Sequence, residues 1–232
     1  SRFSESIKRQ GQFNLTKNTS NLMSELQKNS IIPQLLVNDQ EITKSLISEN
    51  FSNLSERFSF FLNELSIASI YLLDKYGNLV AFSAKENFKK KISHKGFTNN
   101  TSDKLKTVMS VSKKEGNDFG FFYSRLIEYE GAYLGIILIE VDLQKFEKAW
   151  AESGETIIIT DNAGIIILST EPSWKGLTEE QAFKTKSPEN TLKRAYNTTA
   201  QWTNLKEVDT YPKTKAAIRS NGDIPLLNWN IS

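Results

Sequence analysis

The sequence predicts an α+β fold in which a long N-terminal helix precedes two α/β units with antiparallel sheets. Three observations lead to this prediction. Apolar residues recur every three or four positions through the first thirty residues, as they do in an amphipathic helix. Strand-length apolar runs joined by short polar turns begin at residue 67. The first of these hairpins recurs, with its turn residues, 87 positions later in the chain.

The N-terminal part of the chain is predicted to form three helices. The first runs from about residue 3 to residue 30, with an apolar stripe made of Phe3, Ile7, Leu15, Leu22 and Leu26. Pro33 interrupts it, because proline disfavours the helical conformation of the preceding residue. A shorter helix restarts in QLLVNDQEITKSLIS, where Asp39 is a candidate N-cap. The third helix covers NFSNLSERFSFFLNEL.

A hairpin follows these helices and is repeated further along the chain. The strands IASIYLLD and NLVAFS are joined by a turn in which Asp74 favours the start and Gly77 supplies a positive φ. In TIIITDNAGIIILST, Asp161 and Gly164 hold the same places between two similar strands. The repeat indicates two copies of one α/β unit. All four turn residues are interpreted as structural.

The segment between the two hairpins is predicted to contain further regular elements. GFFYSRLIEYEGAYLGIILIEVDL gives two strands around the turn at residues 128–131, and LQKFEKAWAE gives a helix. Residues 85–110 are mostly polar and are expected to form loops. One short helix is expected there in TSDKLKTVMSVS, with Thr101 or Ser102 as its N-cap.

The composition excludes several classes of function. The 232 residues carry a net charge of +2 with no long run of like charge, so a nucleic-acid partner is not indicated. The chain has no cysteine and one histidine, which excludes disulfides, thiolate metal sites and multi-histidine metal sites. We therefore expect no metal and no cofactor. No apolar run reaches the roughly 18–20 residues that span a bilayer.

The order of motifs resembles the periplasmic sensor region of the bacterial C4-dicarboxylate sensor histidine kinases. The stretches that carry the resemblance are LMSELQKNSIIPQLLVNDQEI, IYLLDKYGNLVAFS, LGIILIEVDLQKFEKAWAES and IIITDNAGIIILSTEPSWKGLT. The resemblance implies a double PAS-like, or double Cache, domain. Residues 1–50 would be the long helix and connector, residues 51–150 a membrane-distal ligand-binding module, and residues 151–232 a membrane-proximal module.

The resemblance also implies where the chain works in the cell. It would be the periplasmic domain of an inner-membrane protein, held by flanking transmembrane helices and without enzymatic activity of its own. The kinase (transferase) chemistry of the two-component system would lie on the cytoplasmic side. The N-terminal helix would pair two copies into a homodimer, since Leu15 and Leu22 are seven residues apart.

The ligand site implied by the resemblance follows the first hairpin. Dicarboxylate binders of that family carry an aromatic-x-x-Arg motif there, with another aromatic two residues later. An ungapped count back from GFFY places ISHKGF at this motif, so that Lys95 replaces the arginine and Phe97 keeps the later aromatic. Asp118 stands where those binders have a second basic residue. The candidate ligand-binding residues are Lys95, Asp118, Phe97, His94, Phe121 and Tyr123.

The charges of this candidate site disfavour dicarboxylates. Lysine keeps the positive charge of arginine but loses its two-pronged grip on a carboxylate. Asp118 reverses the charge at the other end of the site, so a zwitterion, or a carboxylate with an amine or hydroxyl group, fits better. A one-residue slip in the count would instead bring in Lys113 or Lys114 and restore a basic site.

The aromatic candidates and His94 leave further choices open. Phe121 and Tyr123 alternate with Phe122 along one strand, so the two sets face opposite sides of the sheet, and the sequence does not decide which set faces a ligand. His94 would be a pH-sensitive element if it lined the site.

The leading functional hypothesis is an extracytoplasmic sensor domain of a histidine kinase that binds a small carboxylate-containing metabolite. The first alternative is the ligand-binding domain of a methyl-accepting chemotaxis receptor, which would share the fold. A hydrolase using His94 is disfavoured, since the sequence contains no Gly-x-Ser-x-Gly elbow. A last alternative is a degenerate distal pocket that senses through a partner protein. The ligand's identity and the direction of signalling stay open.

Overall fold

A computed structural model describes nine segments of the chain, namely residues 17–18, 20–89, 106–114, 118–152, 156–160, 163–184, 197–202, 215–220 and 226–228. The described residues divide into two compact units. One contains the described residues from Leu26 to Asp142, and the other contains those up to Glu25 and from Leu143 onward. The boundaries expected near residues 50 and 150, and the interpretation of the units as two PAS-like modules, stay predictions.

Helices form the described part of the chain before the first strand. They are residues 20–30 (α1), Ile32–Leu36 (α2), Gln40–Ser48 (α3) and Leu54–Glu64 (α4). The predicted N-terminal helix is confirmed over residues 20–30, and residues 1–16 lie outside the described part. Pro33 occupies the first turn of α2. Proline is tolerated there because its missing N–H has no intrahelical acceptor at that position.

Asp39 is the N-cap of α3, as the sequence predicts. Its Oδ1 accepts hydrogen bonds from the backbone N–H groups of Glu41 and Ile42, at 3.1 and 3.2 Å. Its Oδ2 accepts a hydrogen bond from Nε of Arg57 in α4, at 3.1 Å. One carboxylate therefore satisfies the exposed start of α3 and joins that helix to α4.

The unit from Leu26 to Asp142 is built on a five-stranded antiparallel sheet. Its strands are Ser69–Asp74 (β1), Leu79–Ala84 (β2), Val108–Lys113 (β3), Phe119–Tyr129 (β4) and Ala132–Glu140 (β5). Their order across the sheet is β2-β1-β5-β4-β3, so β5 lies between β1 and β4. The predicted strands around residues 128–131 are confirmed as β4 and β5.

The two faces of this sheet have different contents. One face carries the aromatic residues Tyr71, Phe82 and Phe122, which pack with the buried Leu73, Ile136 and Leu138. We call this side of the sheet the aromatic face. Tyr123 lies on the opposite face, called the helix face, where its hydroxyl donates a hydrogen bond to the carbonyl oxygen of Leu26 in α1 at 2.8 Å.

The turn of the first hairpin is as predicted. Oδ1 of Asp74 accepts hydrogen bonds from the backbone N–H groups of Tyr76 and Asn78, both at 2.8 Å, and Gly77 has φ +82°. In the second hairpin Gly164 has φ +78°, between Thr156–Thr160 (β6) and Ile166–Ser169 (β7). Asp161 lies outside the described residues.

The second unit contains another five-stranded sheet in its described part. Helix α5 (Gln144–Glu152) precedes β6, helix α6 (Glu179–Lys184) follows β7, and the later strands are Asn197–Trp202 (β8), Lys215–Ser220 (β9) and Leu226–Asn228 (β10). The order is β10-β9-β8-β6-β7, and β6 pairs with β8 in parallel. The hairpin is thus repeated, but the strand order is not, and this sheet is not wholly antiparallel.

The short helix predicted in TSDKLKTVMSVS is wrong where the structure describes it, because Val108–Lys113 is strand β3. Residues 101–105 lie outside the described part. Along β3, Val108 and Ser110 face one side of the sheet and Met109 faces the other. Pairing with β4 along its whole length outweighs the weak helical tendency of this segment.

Replacement of Asp39 tests the link between α3 and α4. Asp39→Ala should lower the free energy of unfolding by about 1–2 kcal/mol, because it removes the cap and the contact with Arg57. Asp39→Asn should lose less, since its side-chain oxygen can still cap α3. Urea denaturation followed by circular dichroism measures both. Lys44→Ala, at an exposed position of α3, serves as the control, and equal losses in Lys44→Ala and Asp39→Ala would contradict the assignment.

Candidate functional site

A buried ion pair lies on the aromatic face of the first sheet. Nζ of Lys114 lies 2.8 Å from Oε1 of Glu140, and both side chains are only 2% exposed. The Ser69 hydroxyl donates a 2.6 Å hydrogen bond to the other carboxylate oxygen, Oε2 of Glu140. A charged pair so far from water is costly to bury unless each partner is hydrogen-bonded, as this one is.

Strand pairing places the three polar residues together. Glu140 is the last residue of β5, where it is opposite Ser69 of β1 and Phe122 of β4, so these side chains share one face. Lys114 directly follows β3. It is an even number of positions from Val108 and Ser110, so its side chain is on the same face of the sheet as theirs, the face that carries Glu140. The N–H of Lys114 donates to the Asp118 carbonyl oxygen at 2.9 Å, which links the residue after β3 to the residue before β4.

One aromatic ring contacts the ion pair, and others pack on the same face of the sheet. Nζ of Lys114 lies 5.2 Å from the centre of the Phe88 ring, a cation–π distance. The Tyr71 ring lies 4.6 Å from that of Phe82 and 5.9 Å from that of Phe122. Burial beside these apolar groups gives the pair a low-polarity environment, in which its electrostatic interactions are stronger than they would be in water.

Gly120 lies so close to the Glu140 carboxylate and the Phe122 ring that it has no room for a side chain. A Cβ atom at this position would lie 2.3 Å from the ring of Phe122 and 2.9 Å from Oε1 of Glu140. No larger residue fits there without moving one of these side chains. Glycine therefore lets β4 pass close to the ion pair.

Burial raises the pKa of Glu140 above its ordinary value. The nearby ammonium group of Lys114 and the hydrogen bonds from Lys114 and Ser69 act in the opposite direction, while the negative charge of Asp118 raises the pKa further. Loss of hydration is the largest of these effects, so the net direction is upward. A titratable group shifted by burial and paired with one specific charge is a common mark of a functional site.

Only part of the predicted site falls within the described residues. Asp118 lies beside the ion pair, with its Oδ1 accepting a 3.0 Å hydrogen bond from the N–H of Phe119. Phe121 and Tyr123 are buried on the helix face, opposite the side that carries Glu140. His94, Lys95 and Phe97 lie outside the described residues, so their role as ligand contacts, like that of the other three, stays a prediction.

The sequence interpretation missed Glu140 and Ser69, and reached Lys114 only through the shifted count. One signal was present, because Glu140 interrupts the apolar run GIILIEV in the buried half of β5. A charged residue in such a run usually has a buried partner of opposite charge. The partner could not be identified from sequence, since Lys114 and Glu140 are 26 positions apart.

The described residues contain neither a candidate membrane span nor a candidate metal cluster. None of the helices there is both long and apolar enough to cross a membrane. Within the same residues no group of three or more histidine, cysteine, aspartate or glutamate side chains could hold a metal ion.

The fold is that of bacterial sensor domains, as comparison with solved structures shows. The sensor domain of the Vibrio cholerae histidine kinase DctB has a TM-score of 0.59 at 19% identity, covering 94% of this chain and 88% of that one. The Campylobacter jejuni chemoreceptor Tlp3 ligand-binding domain, in complex with 4-methylisoleucine, has a TM-score of 0.54 at 14% identity, covering 94% and 86%. The periplasmic domain of V. cholerae LuxQ has a TM-score of 0.51 at 15% identity, covering 89% and 99%.

The sequence itself is similar to that of one group of these sensors. The C4-dicarboxylate transport sensor protein DctB of Rhizobium meliloti is 24% identical over 179 residues, which are 73% of this chain and 28% of that protein. DctB of Pseudomonas aeruginosa is 29% identical over 56 residues, or 24% of this chain and 9% of that protein. The chain thus spans about a quarter or less of the relatives it matches. No protein-family profile matches it.

Removal of one partner of the ion pair should destabilise the fold. Lys114→Met leaves the Glu140 carboxylate buried without its cation, which should lower the free energy of unfolding by about 3–5 kcal/mol at neutral pH. The double variant Lys114→Met/Glu140→Leu should recover most of this loss. Lys113→Met, at the exposed neighbouring position, is the matched control for urea denaturation. Additive losses in the double variant would show that the two side chains do not interact.

The raised pKa of Glu140 predicts a particular dependence of stability on pH. As the pH rises above about 4.3, the unfolded chain ionises this carboxyl before the folded protein does. The free energy of unfolding contributed by Glu140 is therefore greatest below that pH and falls until the raised native pKa has been passed. The free energy of unfolding of the native chain minus that of Glu140→Gln should therefore be largest near pH 4 and should decrease towards neutral pH. Urea denaturation of both proteins from pH 4 to pH 8 tests this, and a constant or growing difference would contradict it.

Proposed function

We propose that this chain is the extracytoplasmic ligand-sensing domain of a two-component sensor histidine kinase. It binds a small metabolite that contains a carboxylate, in the unit that carries the Lys114–Glu140 pair, which would be the membrane-distal one. Similarity to DctB sensor proteins and the sensor-domain fold support this role. The buried ion pair is the observation that carries the assignment of the site.

The charges at the site favour a ligand that is itself zwitterionic. A carboxylate of the ligand would take the place of Glu140 beside Lys114, and an ammonium group would pair with Glu140 and Asp118. Lys114 and Glu140 are then each matched by an opposite charge of the ligand, whereas a dicarboxylate would bring its second negative charge against Glu140. Solved relatives of the same fold bind ligands of this kind, namely 4-methylisoleucine in Tlp3 and GABA in the Pseudomonas aeruginosa amino-acid chemoreceptor PctC, which has a TM-score of 0.50.

The same proposal includes the membrane, the kinase and a second copy of the chain as partners. The domain would lie in the periplasm, joined to the inner membrane by flanking transmembrane helices, with the kinase on the other side. A homodimer through the N-terminal helix remains part of the proposal. Leu22 and Leu26 are buried within the chain, so the pairing surface must use other side chains of this helix.

A chemotaxis receptor is the second candidate, because chemoreceptor ligand-binding domains share the fold. The two candidates differ in the cytoplasmic part, a histidine-kinase core or a methyl-accepting coiled coil. The C-terminal sequence of the full-length protein separates them. A kinase core there would support the leading proposal.

Calorimetry tests the proposed ligand class. Isoleucine and γ-aminobutyrate are the zwitterionic probes, and succinate and malate are the dicarboxylate probes. We expect a zwitterion to bind and Glu140→Gln to weaken that binding about tenfold or more, since a charge-assisted hydrogen bond is lost. Lys113→Gln is the control and should bind as the native chain does.

Two results would contradict this assignment. Micromolar binding of succinate or malate that is lost in Asp118→Lys would refute the charge argument. The second result is a calorimetric experiment in which no probe binds and a thermal-shift screen in which no amino acid, organic acid or amine stabilises the protein. It would favour a degenerate site, with sensing through a partner protein.

A further inference from the structure

One hydroxyl group on the aromatic face is buried without a hydrogen bond. Oγ of Ser110, on β3, is shielded from solvent and has no hydrogen-bond partner among the described residues. Such a hydroxyl is unfavourable, because it has lost its contact with water and gained no replacement. Buried polar side chains in native proteins are normally hydrogen-bonded, so an exception such as Ser110 has a specific reason.

Strand pairing places this hydroxyl in the same row of the sheet as the ion pair. Ser110 is opposite Phe122 in the β3–β4 ladder, and Phe122 is opposite Glu140 in the β4–β5 ladder. Side chains of paired residues share a face of the sheet, so Ser110 and Glu140 project to the same side. Neighbouring strands are about 4.8 Å apart, which puts the Cα atoms of Ser110 and Glu140 roughly 10 Å from each other.

The ring of Phe122 points out of this row. A Cβ atom on Gly120 would lie 2.3 Å from Cε2 of the ring and 2.6 Å from Cζ. Gly120 is two positions before Phe122 on β4, so the ring extends along the strand towards Gly120 instead of standing between Ser110 and Glu140. A small molecule that lies across β4 would therefore reach Ser110 at one end and the ion pair at the other.

We propose that Ser110 contacts the ligand and selects zwitterions that have a polar side chain. Lys114 and Glu140 would hold the carboxylate and the ammonium group, as in the proposed function on which this inference rests. The Ser110 hydroxyl would form a hydrogen bond with the side chain of the ligand. Since a hydroxyl both donates and accepts, a hydroxyl or carboxamide group of the ligand satisfies it.

The selection follows from the cost of an unpaired polar group. An apolar side chain in the same place leaves the Ser110 hydroxyl buried and unpaired, whereas a polar side chain gives it a partner. A site built to hydrogen-bond one group of a ligand discriminates against analogues that lack the group. The ligand class is therefore that of small polar amino acids, such as serine, asparagine and glutamine, rather than branched apolar ones.

Asparagine and leucine test this selection, because their side chains are close in size and shape and only that of asparagine forms hydrogen bonds. We expect calorimetry to show asparagine binding about five- to tenfold more tightly than leucine, the scale of one hydrogen bond. Ser110→Ala should reduce this ratio to about one by weakening asparagine alone. Ser59→Ala, at an exposed position of α4, is the matched control and should keep the native ratio.

Urea denaturation of the same variants without ligand separates ligand contact from a structural role. Ser110→Ala removes a hydroxyl that has no partner among the described residues, so its unfolding midpoint should equal or exceed that of the native chain. Ser69→Ala removes the hydrogen bond to Glu140 and should unfold at a lower urea concentration. This measurement needs no ligand and does not depend on the proposed function.

Three outcomes would overturn the proposal. A loss of stability in Ser110→Ala as large as that in Ser69→Ala would show that the hydroxyl has a partner within the chain. A ratio of asparagine to leucine affinity that is near one in the native chain, or that Ser110→Ala leaves unchanged, would show that the ligand does not contact Ser110. Binding of neither amino acid, nor of isoleucine or γ-aminobutyrate, would overturn the proposed function together with this inference.

Discussion

The burial of one carboxylate at the end of a central strand governs the arrangement of the first unit. Glu140 has strands on both sides, so its charge can be neutralised only by side chains that reach the aromatic face. Lys114 directly follows β3, and Ser69 is the first residue of β1. The requirement to satisfy this group ties the edge strand β3 to the interior strands β5 and β1, and a side chain at Gly120 would collide with the carboxylate.

The elements that the sequence predicts well are those with local causes. The turn at Asp74 depends on hydrogen bonds to residues two and four positions away, and the cap at Asp39 on residues two and three positions away. Such short separations leave a readable signal in the sequence. β3 was predicted as a helix because its character comes from pairing with β4, which no short window of sequence contains.

The candidate site was predicted less completely, for a related reason. Asp118 and the loop after the first hairpin were found through a family motif, which identifies a region but not the side chains that meet there. Glu140 and Ser69 are 71 positions apart and share no periodicity, so only the register of β1 and β5 brings them together. The sequence predicts that Phe122 faces one side of the sheet and Phe121 and Tyr123 the other, but not which side is which. In the structure Tyr123 faces α1, where its hydroxyl donates a hydrogen bond to the carbonyl oxygen of Leu26.

The pairing of β1 with β5 has a consequence for how the chain folds. β1 acquires β2 as a neighbour almost as soon as it is synthesised, but its other edge stays unpaired until residues 132–140 have emerged. Closing so long a loop is a slow step, and an apolar edge left open is prone to pair with other chains. A chain in this state can pair wrongly with its copies until β5 is in place, and the contact between Ser69 and Glu140 exists only from that moment.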